Sequence, residues 1–295
     1  MRPPNRKLSD IFKFSKPKTP GYEISRDYYL SVLASTPTLP SPRQIMTPRG
    51  GGGAVPGMLA PLGASAKAEL DQPMTRGIYA IAAPDQKTIL KLMVMPRDEA
   101  GFDPEPFLRS PIAQSFGEET RTRVAATWHV MQLTFEAFEP SIFSALDFFL
   151  LTARRLAELA DGVVADPICL RYLLPDEVIA SPRRHPDLDA REHISVQLAP
   201  RVFTRGLVKF ALPELELADV PADYYEIAES FMINLCEAIL RGNVLQPGAV
   251  AGPFLVSHGG QNLAQWEGIP VYELIPPPGV SVERALRDWH SAGNP

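Results

Sequence analysis

The chain has 295 residues, with 29 Lys and Arg against 34 Asp and Glu, and 45% of its residues are apolar. That length holds one large domain or two small ones, the apolar share supports a sizeable core, and a net charge of −5 excludes a body that is basic overall and built to bind nucleic acid. The two cysteines, Cys169 and Cys236, are too few for a disulfide framework and lack metal-ligand spacing.

Residues 1–72 differ in composition from the rest. The chain has 31 prolines, roughly twice average usage, many of them in this stretch, which also carries four consecutive glycines, Gly50 to Gly53. Such a segment buries too little apolar surface to offset its ordering entropy, so a disordered tail is predicted. Its first part is basic through Arg2, Arg6, Lys7, Lys13, Lys16, Lys18 and Arg26, while Leu8, Ile11 and Phe12 share a helical spacing. A basic amphipathic segment docks on a protein partner's groove, a nucleic acid or another anionic surface, the alternative being a solvated tail. Met1 to Lys18 lacks the apolar core of a secretory signal. The glycine run is followed by no Gly-Lys-Ser/Thr and preceded by no strand, which argues against a phosphate loop. The most apolar run, Ile142 to Leu151, is interrupted by Asp147 and falls short of the roughly 20 residues a bilayer needs. A cytoplasmic location is the expectation.

From Gly77 onward Ile78–Ala83 and Thr88–Met95 read as a hairpin, and Phe102–Gln114 as a stretch holding a short helix. Thr127–Phe135 reads as a strand with His129, Met131, Leu133 and Phe135 on one face, His129 being a core or rim histidine. Pro140 and Ser141 open a helix, Ser144 and Asp147 offering an alternative capping box; it is apolar nearly all round through Phe148 to Leu151 and therefore buried. Gly162 ends it. Val163–Leu170 supplies another short strand, broken near Asp166 and Pro167, and Pro175–Glu192 is a surface loop.

His193–Leu198 alternates, with Ile194, Val196 and Leu198 inward and His193, Ser195 and Gln197 outward. It is expected to pair antiparallel with a strand through Val208, Phe210 and Leu212. Past Pro213 the apolar positions become Leu215 and Leu217, a slip that predicts a bulge or kink at Leu212 and Pro213. A helix follows from Pro221, with an apolar stripe through Tyr224, Ile227, Ala228, Phe231, Leu235, Ala238 and Ile239, closed by Arg241 and Gly242. Two more short strands, Pro253–Val256 and Val271–Ile275, lead to a small helix from Ser281 whose stripe is Val282, Ala285, Leu286 and Trp289. Met74–Ile78 echoes Phe203–Leu207, which raises a body of two related α+β halves.

Few residues suggest chemistry. Ser257, His258, Gly259 and Gly260 end a strand, and a His-Gly-Gly run can present backbone N–H groups to an oxyanion, but no Gly-x-Ser-x-Gly elbow accompanies it. Glu214 and Glu216 lie two apart on a strand, hence on one face, near enough to share a cation or to divide acid and base roles; outward carboxylates near a proline also protect an edge strand. His185, Asp187, Asp189, Glu192 and His193 cluster in a loop without a recognised metal pattern. Asp166 reads as an Asp before proline bonding its local backbone, and Arg205 as either an anion contact or an ordinary ion-pair arginine.

The phrases Ala153–Pro167 (ARRLAELADGVVADP) and Thr204–Pro221 (TRGLVKFALPELELADVP) together resemble an uncharacterised bacterial domain family of unknown function, over about residues 77–275. In such domains a helix leads into a Gly-Gly-like strand ending in Asp, and a Gly-Leu-x-x-Phe-Gly strand precedes Pro-Glu-Leu. Here Asp161 and Ala211 stand where that pattern has glycine. The resemblance implies a compact α+β domain and brings no activity.

The reading as a whole is an α+β fold. An antiparallel or mixed sheet packs against the helices of residues 141–161 and 221–241 within a domain over 73–278, after the tail and before a C-terminal amphipathic helix over 279–295. The expected function is a non-enzymatic protein-binding or adaptor protein, accessory to a bacterial secretion, toxin-immunity or other macromolecular system, with Leu8, Ile11 and Phe12 as its contact. The alternative is a hydrolase or metal-dependent enzyme drawing on Asp166, His193, Arg205, Glu214, Glu216 and His258. No cofactor is predicted.

Overall fold

The computed structural model describes residues 24–25, 27–46, 58–61, 70–138, 142–184, 187–260, 266 and 268–293. They fall into two compact units, residues 26–182 and residues 183–295, the latter joined by the described Ile24 and Ser25. Each has a sheet and helices, as an α+β fold requires.

Residues 26–182 build a seven-stranded sheet from β1 (Tyr29–Ala34), β2 (Met58–Pro61), β3 (Gly77–Ala82), β4 (Ile89–Pro96), β5 (His129–Ala137), β6 (Val163–Asp166) and β7 (Arg171–Leu173). The order is β2-β3-β4-β5-β1-β6-β7, with every neighbour antiparallel. The expected hairpin is β3 with β4, in register from Gly77 opposite Val94 to Ala82 opposite Ile89. Short helices α1 (Pro42–Met46), α2 (Pro104–Leu108) and α3 (Glu118–Ala125) accompany one long helix, α4 (Ile142–Leu159). Alternation along β1 and β5 sends Leu30, Val32, Met131, Leu133 and Phe135 to the face that α4 covers, where Phe149 packs against Tyr28 and Phe135. The other face buries Leu33, Val130 and Val163 against Val124 of α3, beneath Phe102, Phe107, Phe116 and Tyr172. Ser110, extended before Pro111, separates α2 from a 3-10 turn, Pro111–Ser115, so the single helix expected near Phe102–Gln114 is two short ones.

The tail expected through residue 72 is corrected here. Strand β1 lies between β5 and β6, and its Leu30, Val32, Leu33 and Ala34 are at most 3% exposed. Tyr-Leu-Ser-Val-Leu-Ala is a strand-length apolar run hidden inside a proline-rich average; all six residues pair with β5, and Ser31, Val32 and Leu33 pair with β6 as well. Leu8, Ile11, Phe12 and the four glycines lie outside the described residues.

Residues 183–295 carry a six-stranded sheet of β8 (Ser195–Gln197), β9 (Val202–Arg205), β10 (Glu214–Leu217), β11 (Val250–Ala251), β12 (Phe254–His258) and β13 (Val271–Ile275). The order is β11-β12-β13-β10-β9-β8, antiparallel except for β10 with β13. Helix α5 (Tyr225–Leu240) is the expected long helix and buries Ala228, Phe231, Met232, Leu235, Cys236 and Ile239. It ends in a Schellman turn: Asn243 N–H donates to the Ala238 carbonyl, Gly242 N–H donates to the Ile239 carbonyl, and Gly242 takes φ 100°. Helix α6 (Val282–Ser291) is capped by Ser281, whose hydroxyl accepts from Arg284 N–H, and its Trp289 meets Phe231 edge-on at 5.3 Å. The expected C-terminal helix thus docks on α5 of its own unit.

Several expectations fail in this unit. Leu207–Phe210 is a 3-10 turn rather than a strand, with Gly206 at φ 126° before it and Ala211 left-handed at φ 54° after it. The strand is β10, and β8 pairs with β9 instead of with residues 208–212. The echo of Met74–Ile78 in Phe203–Leu207 does not extend to conformation, since Gly77 opens a strand and Gly206 opens that turn. Asp161 and Ala211, where the resemblance has glycine, both take positive φ, at 47° and 54°. The backbone there has the shape glycine serves, with other residues accepting it.

Candidate functional site

Strand β10 reads Glu-Leu-Glu-Leu and all four side chains are buried. A period of two sends Leu215 and Leu217 to one face and Glu214 and Glu216 to the other. The expected edge position of the carboxylates is corrected, because β10 is central, flanked by β13 and β9. Away from water, their oxygens must find donors within the protein.

Glu214 finds them in the segment that failed to become a strand. One oxygen accepts from the Thr204 hydroxyl at 2.7 Å; the other accepts from Gly206 N–H at 2.7 Å and Val208 N–H at 3.1 Å. The Thr204 hydroxyl accepts in turn from Leu215 N–H at 2.8 Å. Backbone donors that a ladder would have used are taken by a carboxylate, and glycine at 206 allows the chain to curl around it.

Glu216 is held by the far side of the sheet. It accepts from Gly260 N–H at 2.7 Å and from the Trp266 indole N–H at 2.9 Å, and it pairs with Arg201 at 3.2 Å. Arg201 also lies 3.5 Å from Glu273, and Trp266 stands edge-on to Phe203 at 5.0 Å. A Cβ at Gly259 would fall 2.5 Å from the Glu216 carboxylate and 2.9 Å from the Glu273 backbone, so only glycine allows this approach. The His-Gly-Gly phrase does present a backbone N–H to an oxyanion, and the oxyanion is the protein's own Glu216.

The other singled-out residues do not join this pair. Register puts Ser257, Glu273, Glu216 and Phe203 on one face, and His258, Tyr272 and Leu215 on the opposite one, where the exposed His258 ring lies 6.2 Å from that of Tyr272. His193, expected outward, is 4% exposed because it closes a 3-10 turn, Ala190–Glu192, ahead of β8. Its ring meets Phe210 edge-on at 5.5 Å and its carbonyl accepts from the Lys209 ammonium at 2.9 Å. The Arg205 guanidinium lies over the Phe203 ring at 5.5 Å. Asp166 belongs to the other unit, where it accepts from Cys169 N–H at 3.2 Å, the local turn its place before proline predicted.

In the loop before β8, Asp189 accepts from Arg191 N–H at 2.9 Å and Arg183 bridges Asp189 and Glu192 at 2.6 Å each. Those carboxylates raise the Arg183 guanidinium above its ordinary value, the hydrogen bond to Glu192 foremost. Among the described residues no three His, Cys, Asp or Glu side chains are grouped to hold a metal.

Two features had no counterpart in the sequence reading. Lys209 is 2% exposed because the 3-10 turn at Leu207–Phe210 rotates it inward. Val250, Leu255 and Ile275, neighbours in register across β11, β12 and β13, are 63%, 45% and 39% exposed and make an apolar stripe at one end of the sheet. Strands β12 and β13 are legible in the sequence and the two-residue β11 is not, and the uncovered face depends on what packs over it. No family model matches the chain, and neither curated proteins nor solved structures match it.

Proposed function

We propose that the protein is a non-enzymatic protein-binding protein whose partner seats on the stripe of Val250, Leu255 and Ile275. The observation that carries this reading is the exposure of three large aliphatic side chains side by side on adjacent strands. Isolated exposed apolar residues are ordinary, whereas contiguous ones mark contact surfaces. The use made of Glu214 and Glu216 supports the same reading, since their oxygens already receive Thr204, Trp266 and backbone donors. A partner from a secretion, toxin-immunity or other macromolecular assembly fits the adaptor role.

The test compares affinity capture from the native cell by three chains: the full chain, a chain beginning at Ile24, and the full chain carrying Leu255→Glu with Ile275→Glu. Both substituted positions face water, so the fold should tolerate them. A stoichiometric partner kept without residues 1–23 and lost with the two glutamates is the expected result. A partner kept by the glutamate variant and lost without residues 1–23 would move the contact to Leu8, Ile11 and Phe12.

A further inference from the structure

The reversal that ends α5 leaves an apolar cleft on the face of the second sheet opposite the stripe. Leu215 and Tyr272, register neighbours on β10 and β13, form its floor. Ile239 and the Leu212–Pro213 turn form its walls, and Val244 and Leu245, carried outward by the turn at Gly242, form its rim. The cleft has a volume of about 90 Å³, the space of several water molecules, and opens to solvent.

Three properties define what would fill it. None of its lining residues is charged, so an ion entering it would shed water without gaining a partner. Its side-chain polar groups are the Tyr272 hydroxyl and the Asn243 amide, and among the described residues neither of these side chains makes a hydrogen bond. At the rim Val244 is 70% exposed, an apolar side chain held in water beside an apolar cavity. We infer that this cleft binds a small uncharged compound with an aromatic or aliphatic body and a single hydroxyl or N–H group, which Tyr272 and Asn243 orient. The assignment is independent of the protein-binding stripe, because Leu255 and Ile275 point from the other face of the same sheet.

The experiment is saturation-transfer NMR on the full chain with indole as the probe and benzoate as its charged counterpart. Saturation should pass to indole and not to benzoate. Val244→Trp, a change at an exposed position, should close the mouth and abolish transfer. Tyr272→Phe should weaken indole binding by roughly 2- to 10-fold, the value of one hydrogen bond. Leu255→Glu, on the opposite face, should leave it unchanged, which separates failure of this site from failure of the stripe. No transfer to the unsubstituted chain, transfer that survives Val244→Trp, or equal transfer to indole and benzoate would each overturn the assignment.

Discussion

The backbone N–H of Gly260 donates to the Glu216 carboxylate at 2.7 Å across 44 positions of sequence. A turn of the kind that cradles a substrate oxyanion is thereby closed on an internal one, and the same carboxylate takes the Trp266 indole and the Arg201 guanidinium. Glu216 therefore fastens the segment after β12 to the central strand of its sheet. One strand, β13, lies between β12 and β10, and Glu216 shares the fastening of this segment with the Gly259 N–H bond to the Val271 carbonyl and the packing of Trp266 on Phe203.

Replacing Glu216 by Gln keeps the volume and removes the charge. One of the two oxygens becomes an N–H₂ group facing a donor, and Arg201 loses its nearer carboxylate. Breaking charge-assisted bonds at a buried site costs about 2–4 kcal/mol. Denaturant unfolding should show a loss of that size with the m-value unchanged. A loss below about 0.5 kcal/mol, the range of an ordinary surface change, would mean that Glu216 does not hold the segment.

Gly259 is tested against a glycine that lacks its neighbours. Gly259→Ala places a methyl group 2.9 Å from the backbone N and the Cβ of Glu273, atoms of a paired strand that cannot give way. Overpacking of this kind costs about 1–3 kcal/mol. Gly279→Ala meets nothing within 4 Å and has only its positive φ of 79° to strain it, for about 1 kcal/mol. Unfolding of both variants should rank Gly259→Ala as the more damaging, and the reverse order would remove the close approach as its cause.

How far the sequence could be read follows the range of the interactions. Hairpin β3–β4, helices α4 to α6 and strands β5, β12 and β13 were legible because their apolar periods are long and their ends carry Ser, Gly or Pro signals. The turn at Leu207–Phe210 was not, although Val208, Phe210 and Leu212 alternate as a strand should. Its shape depends on Glu214 taking Gly206 and Val208 N–H groups, a competition that alternation does not register. The same bonds explain why Glu214 and Glu216 were read as solvent-facing: a carboxylate is buried only where donors converge, and the donors at 260 and 266 are far along the chain. Strand β1 was missed for a compositional reason, six good strand residues averaged with the prolines around them.

Strand β1 makes truncation decisive. A chain beginning at Pro73 lacks β1, and with it the ladder partner of β5 on one side and β6 on the other. It also loses Leu30, Val32 and Leu33, each worth roughly 1.5–3 kcal/mol of burial. Against a typical total stability of about 5–15 kcal/mol, that loss should leave residues 73–182 without a cooperative thermal transition by circular dichroism. A chain beginning at Ile24 keeps both ladders and should melt cooperatively. Melting of the shorter chain with the full change in ellipticity seen for the chain from Ile24 would show that β1 is dispensable.

Ala211 offers a stabilising change. It is exposed and left-handed at φ 54°, a conformation that costs a residue with a Cβ roughly 1–2 kcal/mol. Ala211→Gly removes that strain, and the extra freedom of glycine in the unfolded chain returns about 0.5–1 kcal/mol of it. A net gain of about 0.5–1 kcal/mol is expected in denaturant unfolding. Asp161→Gly, at φ 47°, should gain less because the Asp161 carboxylate pairs with Arg123 at 3.1 Å. A loss at 211 would show that the turn does not carry the strain.

Cys236 sets a limit on stability at alkaline pH. Burial of the thiol in α5 raises it well above its ordinary value of 9.0, with the Glu214 and Glu237 carboxylates adding to the effect. The folded chain therefore holds this proton more tightly than the unfolded chain. The contribution to stability is complete below pH 9.0 and declines as pH rises from there toward the folded value. Cys236→Ala lacks the proton and so lacks this slope. At pH 7 the alanine variant should be less stable by about 1 kcal/mol for the lost packing, and the gap should narrow or reverse above pH 9. Tyr172, raised chiefly by burial, weakens the fold at high pH with the same sign, but it is present in both chains and cancels in their difference. Paired denaturant titrations between pH 7 and 10.5 give that difference directly, and a gap that stays constant across the range would show that Cys236 does not titrate with unfolding.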